Sequence, residues 1–504
     1  MIVCNLIRDG FFRFKFLQKL IIAALIMLAD GSSRLTAQVN YGLSVSNFGG
    51  INAVQLNPTA PVNSKVFLDF NFFASGFSVS NNFAFIHKDD VNLRGMIMNN
   101  PVFPSSETRG EGIDYTTDIE VVNAFIRTEL NGPSFSMSFG NQSAGFFSRV
   151  VLANSVRRLP VDIAVLMFEG LDYEPLQDTA ITGDDFYAGA MGWAEFGLNY
   201  AVVFKQDFLS NWSAGANVRR LIGHSGTYLS ARNVDFTLGA DRNLDIRNLD
   251  AGYGFAVPVD YNTNEYPGPD PLFKGRGVAM DIGISYRRNR EMKLLSDPAK
   301  YCQYSYQPYL YKIGISLLDI GSISFKNQAQ EHDFDNVSAN WQRVDTTDFN
   351  SLNEFTQQLS NVFYGNPETS LVGMDNMRIN LSTALSLQAD YQYYPDWYLT
   401  GVLVLPVKTG NYQVHRPAHA YLGLRYETDR YEVNLPVSFY NFEKLRVGLY
   451  GRYSYFSIGT DNLASFFAAN DLYALDFYFS IKFHLQKGYC NSYKSTKDCR
   501  NLSF

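Results

Sequence analysis

The sequence predicts an all-β fold: a transmembrane antiparallel up-and-down β-barrel of about 14 strands, bracketed by about 12 and 16. Three observations predict it. Tyr473 to Leu485 alternates without a break, with Tyr473, Leu475, Phe477, Phe479, Ile481, Phe483 and Leu485 against Ala474, Asp476, Tyr478, Ser480, Lys482 and His484. A soluble strand usually runs about 5 to 6 residues, whereas about 9 to 11 tilted residues cross a bilayer. The second observation is composition: 40 Phe, 32 Tyr and 38 Gly in 504 residues, with apolar residues dispersed rather than gathered into a helix-length run. The third is an N-terminus that reads as an export signal.

That signal comprises Arg13, Lys15 and Lys19 ahead of an apolar run from Leu20 to Ala29. Leu35-Thr36-Ala37 then offers a small residue for cleavage, so 1–37 is expected to be a signal peptide. The mature chain is divided into 38–61, a barrel over 62–486, and a polar tail over 487–504. Cys490 and Cys499 flank that tail and are candidates for a disulfide in an oxidising compartment. Net charge is −7 and no basic stripe is present, which argues against a nucleic-acid partner.

Along the chain, Tyr41 to Ala60 is rich in Gly and Asn and does not alternate, so it is not a first membrane strand. A short helix through Gly50 to Leu56, stopping before Pro58, suits it. Alternation begins with Val66, Leu68, Phe70 and Phe72, and recurs at 133–140, 194–205, 278–287, 377–390, 431–439 and 445–449. In a barrel the polar partners point into the lumen: Glu195, Arg287, Arg378, Asp390, Glu432 and Lys482 are the candidates. About 12 segments can be placed, and 80–126 is expected to hide one or two more. Even strand numbers are the rule for bacterial single-chain barrels, hence about 14. The non-alternating stretches 88–118, 170–189, 240–274 and 327–376 are expected to be long exterior loops. Within the last, Phe349, Leu352, Phe355, Leu359 and Val362 fall at helical spacing and predict an amphipathic helix over 348–362.

Chemical motifs are sparse. Of six histidines, His87, His224, His332, His415, His419 and His484, only His224 adjoins a serine, and adjacent strand residues face opposite sides. His415 and His419 are separated by Arg416-Pro417, which rules out a helical metal pair. The acidic run 240–250 lacks the glycine and glutamate of a calcium loop and reads as a solvated loop. No catalytic residue, metal site or cofactor is predicted, and an enzyme is not expected.

Ser46-Asn47-Phe48-Gly49-Gly50-Ile51-Asn52-Ala53-Val54-Gln55-Leu56-Asn57-Pro58-Thr59 resembles the opening of a Bacteroidota outer-membrane β-barrel family of unknown function. It is distantly similar to the Asn-Pro-Ala opening of FadL-like transporters and of PorV, with Thr59 in place of the alanine. The resemblance implies a plug or hatch over 38–61, with Asn47, Gly49, Gly50, Asn57 and Pro58 as its candidate residues. Two functions follow as expectations: a channel or transporter for a hydrophobic or small solute, or a closed barrel that anchors exported or surface proteins. Either would sit in the outer membrane of a Gram-negative bacterium, in contact with its lipid and inserted by the barrel-assembly machinery.

Overall fold

The computed structural model describes residues 41–88, 113–207, 209–268, 271–290, 306, 308–346, 349–467 and 471–487. The expected signal peptide, Cys302, Cys490, Cys499 and nearly all of the tail lie outside them. Fourteen antiparallel strands close into a barrel. The strand Val66–Asn81 pairs along its length with the last strand, Ala474–Gln486. Between them run Val121–Asn131 continued by Ser134–Phe139, then Gln142–Pro160, Ala180–Gln206, Ser210–Leu238, Gly275–Asn289 and Tyr309–Phe325. Met377–Asn380 continued by Ala384–Tyr394 follows, then Trp397–Pro406, His419–Glu427, Tyr431–Tyr440, Lys444–Val447 continued by Leu449–Tyr453, and Phe456–Thr460. No described helix is long and apolar enough to cross a membrane.

The outer face is what lipid demands. Leu198, Val218, Ile282, Ile315, Leu422, Leu435 and Ile458 point outward and are 43–65% exposed. At one end these give way to aromatics: Trp212 meets Tyr286 at 4.9 Å, Tyr286 meets Tyr311 at 6.0 Å, and Trp397 meets Tyr426 at 5.0 Å. An apolar band bounded by an aromatic girdle is the signature of a barrel in a bilayer. The girdle end carries tight turns such as 140–141, 395–396 and 428–430 and one long connection, 290–308, and the opposite end carries the other long connections.

Those connections are more ordered than the sequence suggested. The expected loop 170–189 already belongs to a 27-residue strand from Ala180. Strand Leu244–Ala256 lies inside 240–274, so the acidic run is strand from Leu244 onward. Strands Gln330–Trp341 and Leu371–Met374 lie inside 327–376. Together with the outer halves of 180–206 and 210–238 they form a five-stranded sheet that stands above the barrel. These strands were hidden because bulges shift their register at 231–233, 235–236, 334–337 and 337–339, which removes the clean alternation. The amphipathic helix is present as Leu352–Tyr364, capped by Ser351 Oγ, which accepts from Glu354 N at 3.1 Å, and ended by Gly365 at φ 64°. Its Phe355 packs toward Tyr253 of the sheet, at 6.5 Å between ring centroids. The stretch 80–126 hides one barrel strand and a small hairpin, Ala84–Ile86 with Ile113–Tyr115.

A second correction concerns 377–390. The even spacing of Arg378 and Asp390 puts both in the lumen only if the strand is unbroken. It is broken at 381–383, and the phase reverses across the break. Below it Ala384, Ser386 and Asp390 face inward; above it Met377 and Ile379 do, and Arg378 is exposed, donating from Nε to Ser322 Oγ at 2.8 Å. The neighbouring strand flips at the same level, at Asp319 (φ 55°), so that Ile313 and Ile315 face out while Ile323 and Phe325 face in. Local irregularities that re-aim side chains are what bulges do.

Leu198 and Val372 are almost equally exposed, at 65% and 66%, but on the band and on the projecting sheet respectively. Leu198→Arg should therefore lower the unfolding free energy in lipid by about 2–4 kcal/mol. Val372→Arg should change it by no more than about 0.5 kcal/mol. Denaturant titrations of both variants in the same bilayers check the difference.

Candidate functional site: the filled lumen

The lumen is occupied in three layers. The lowest, at the girdle end, is the N-terminal segment 41–64, which contains no charged residue. It folds as helix Tyr41–Val45, a 3-10 turn Gly50–Gln55 and helix Ala60–Asn63, and is almost entirely buried. The short helix expected at Gly50 to Leu56 is thus a 3-10 turn, and Pro58 lies beyond its end.

Wall side chains reach this segment from most sides. Ser46 Oγ donates to Glu432 at 2.7 Å, and Asn47 donates from its backbone N and its Nδ2 to Glu427, both at 3.1 Å. Ile51 N donates to Asp69 at 2.8 Å, Asn52 Nδ2 to Asn71 at 3.1 Å, and Asn57 Nδ2 to Gln388 at 2.8 Å. The segment's carbonyls are served in turn: Asn217 donates to Val54 O at 3.1 Å, Ser316 to Leu56 O at 2.7 Å, and Asn199 to Pro58 O at 2.9 Å. Lys482 Nζ holds Phe48 O and Gly49 O, and Arg425 holds Val45 O. Gly50 sits at φ 54°, and a Cβ there would lie 2.1 Å from Asp69 Oδ2, so only glycine allows this approach.

Above the segment lies a layer of four arginines and four carboxylates: Arg127, Arg149, Arg219 and Arg416 with Glu129, Glu195, Asp281 and Asp319. Arg219 is fully buried and bonds Asp281 at 2.6 Å and Asp319 at 2.7 Å, with Glu195 at 3.4 Å. Arg149 pairs with Glu195, Arg416 with Asp319, and Arg127 with Glu129 at 2.5 Å. Trp193 Nε1 donates to Glu195 at 3.0 Å from the layer above.

The third layer is apolar. Met191, Trp193, Leu221, Tyr228, Ile323, Phe325, Met377 and Ile379 point inward and pack together, all 5% exposed or less. The connection 407–418 folds down among them: Tyr412 stacks on Tyr228 at 3.8 Å, and Val414 is buried in the cluster. In the same connection, burial and then Arg157 beside it push the His415 imidazole down to about 4. Three cavities between wall and contents measure about 60, 50 and 10 Å³, room for water but not for a solute, while a recess of about 750 Å³ opens beside the outward-facing Trp212, Tyr286, Ile313 and Leu387.

Of the lumen candidates read from sequence, Glu195, Arg287, Asp390, Glu432 and Lys482 all face inward and are buried, and only Arg378 does not. They do not form one site: Glu195 belongs to the middle layer, while the others surround the N-terminal segment. Asn47, Gly49, Gly50, Asn57 and Pro58 all lie in that segment and against the wall. Sequence reasoning missed Asp69, Arg219, Asp319, Arg425 and Glu427. Asp69 and Arg425 were legible as single charges inside alternating runs, Leu68-Asp69-Phe70 and Leu424-Arg425-Tyr426. Asp319 sits at a bulge that no periodicity announces. His419 begins a strand, and among the described residues no group of three or more His, Cys, Asp or Glu could hold a metal. One histidine does meet a serine, His332 Nδ1 to Ser370 Oγ at 2.9 Å, but that serine is fully buried.

Removing one partner of a buried ionic network leaves the others unpaired, at about 3–5 kcal/mol. Arg219→Met should cost that much, whereas Arg378→Met, on the exposed outer side, should cost less than about 0.5 kcal/mol. Unfolding of the two purified variants in detergent or lipid measures both.

A family model described as Family of unknown function (DUF5723) matches residues 58–461. No curated protein matches the chain. Among solved structures, a Pseudomonas aeruginosa FadL homologue is 12% identical over 90% of this chain and 99% of its own, with a TM-score of 0.40. A deltaS2S3 mutant of the monoaromatic hydrocarbon channel TodX is 8% identical over 86% and 94%, with a TM-score of 0.38. The translocator domain of the autotransporter NalP from Neisseria meningitidis is 7% identical over 86% and 95%, with a TM-score of 0.30. Likenesses this distant carry no argument about what the barrel does. The extent of the family match does identify it: this chain is an outer-membrane-type β-barrel belonging to the Family of unknown function (DUF5723).

Proposed function

We propose that the protein is a gated conduit for a small or hydrophobic solute in the outer membrane of a Gram-negative bacterium, and that residues 41–64 are its plug. The girdle end then faces the periplasm and the projecting sheet faces outward, as long loops do in such barrels. The observation that carries this reading is the chemistry of the plug–wall contact. Beside three small apolar clusters around Tyr41, Leu43 and Ile51, it is made of hydrogen bonds between neutral amides, hydroxyls, carbonyls and fixed wall charges. Those between neutral partners are worth only about 0.5–1.5 kcal/mol net and those to a charged wall group about 1.5–3 kcal/mol, because water replaces them when the partners separate. A contact of that kind can be exchanged for water, and the wall behind it (Ser75, Asn71, Asn199, Asn217, Ser285, Ser316, Thr400) is the wall of an aqueous pore.

A second reading is favoured by a different feature. The five-stranded sheet with its helix is a rigid platform, and a barrel sealed by three layers could serve as its membrane anchor, docking exported or surface proteins.

Planar-bilayer recordings separate the two. Chains lacking 41–63, with 409–414 also shortened to two glycines so that Tyr412 and Val414 leave the apolar layer, should conduct where the full chain does not. A full chain with Asn52→Cys and Asn71→Cys, whose native side chains touch, should stay silent when oxidised. Silence of both forms, with reproducible capture of one protein by the projecting sheet, would replace the conduit by the anchor.

A further inference from the structure

We infer that the pore behind the plug selects small anions, carboxylates or phosphates among them. This rests on the conduit reading and adds the substrate's charge. The plug has no charged residue, so every charge at its level belongs to the wall or the mouth. Four carboxylates there, Asp69, Asp390, Glu427 and Glu432, are each already engaged by a cation: Lys482 on Asp69 at 3.3 Å, Arg425 on Asp390 at 2.9 Å, Lys65 on Glu427 at 2.9 Å, and Arg452 on Glu432 at 3.1 Å. A buried pair, Asp461 and Asp476, meets the plug's first helix through Tyr478, whose hydroxyl accepts from Gly42 N and donates to Asp461 at 3.1 Å, and Arg446 lies beside that pair. Three further cations lie at the same level: Arg287, Lys312 and Lys487. Eight cations against six carboxylates leave an excess of two positive charges, in a chain whose net charge is −7.

The plug compensates that excess with backbone dipoles. Arg425 donates to Val45 O, Lys482 to Phe48 O and Gly49 O, and Lys487 to Val62 O at 3.0 Å. Lys312 Nζ reaches Asn47 Oδ1 at 3.4 Å. When the plug leaves, these donors lose their acceptors together. Asp69 and Glu432 each lose one donor, Glu427 loses two from Asn47 and Asp390 loses none, and all four keep their cations. A solute that restores what the plug supplied must offer oxygen acceptors, and a negative charge satisfies the excess better than a carbonyl does. The layer above does not oppose this, since its four arginines and four carboxylates balance. A narrow passage lined by one excess sign concentrates the opposite ion by roughly tenfold or more.

The test is the reversal potential in a salt gradient across a planar bilayer of phosphatidylethanolamine and phosphatidylglycerol. Two opened forms are used, both with 409–414 shortened to two glycines so that Tyr412 and Val414 leave the apolar layer: the chain lacking 41–63, and the chain with Gly50→Val, which drives the plug away from Asp69 if the deletion fails to assemble. Chloride and acetate should be preferred over potassium by roughly tenfold at low salt. The preference should shrink toward unity near 1 M, where the Debye length falls to about 3 Å. Lys312→Gln with Lys487→Gln should reduce it while the single-channel conductance persists. An open pore that prefers potassium, or shows no salt-dependent preference, overturns the anion inference and leaves the conduit standing. Absence of conductance in both opened forms overturns both.

Discussion

Everything in this molecule follows from the requirement that no backbone amide or carbonyl face hydrocarbon unpaired. Strands satisfy it only by closing, and here Val66–Asn81 meets Ala474–Gln486 over most of their lengths. Closure with 14 strands creates a second problem: the enclosed space is too wide for the wall's own side chains to fill. The three layers are the answer to that problem, each with its own chemistry. A borrowed piece of chain fills the girdle end, salt-bridged long side chains span the middle, and aromatic and aliphatic groups fill the far end together with 407–418. The middle layer is an expensive way to fill space unless its members satisfy one another, which is why its arginines are shared among several carboxylates rather than paired singly.

The fold was legible to the extent that the environment imposes period 2. Where one face meets lipid and the other a polar lumen, as at Ala194 to Lys205 and Tyr473 to Leu485, the sequence declares both the strand and its orientation. Where the environment changes, legibility fails for a physical reason. Above Asp319 the lumen itself turns apolar, so inward and outward residues no longer differ in character and a phase reversal leaves no trace in composition. Arg378 was misassigned for that reason. The projecting sheet was missed because repeated bulges break the period of its strands.

The plug level was partly legible. A resemblance in a dozen residues pointed to 38–61, and the segment does lie in the lumen; what it does there is proposed. Its wall partners were readable one at a time, as isolated charges in alternating runs, but their convergence was not. Asp69 and Lys482 are 413 positions apart in the chain and become neighbours only because the first and last strands meet. Strand register, which periodicity does not encode across distant segments, decides such encounters.

The neutrality of 41–64 also bears on how the segment can be driven. A charged gate is pulled by a membrane potential with about 2.3 kcal/mol per charge per 100 mV. A segment that carries none moves no charge when it travels, so electrical work cannot reach it through its own side chains. If the segment is the gate proposed above, its displacement comes from contact: something that grips it from the girdle end, or a solute that outbids it for the wall. The barrel is thereby deaf to voltage and Donnan potentials at this step, and answers only to touch.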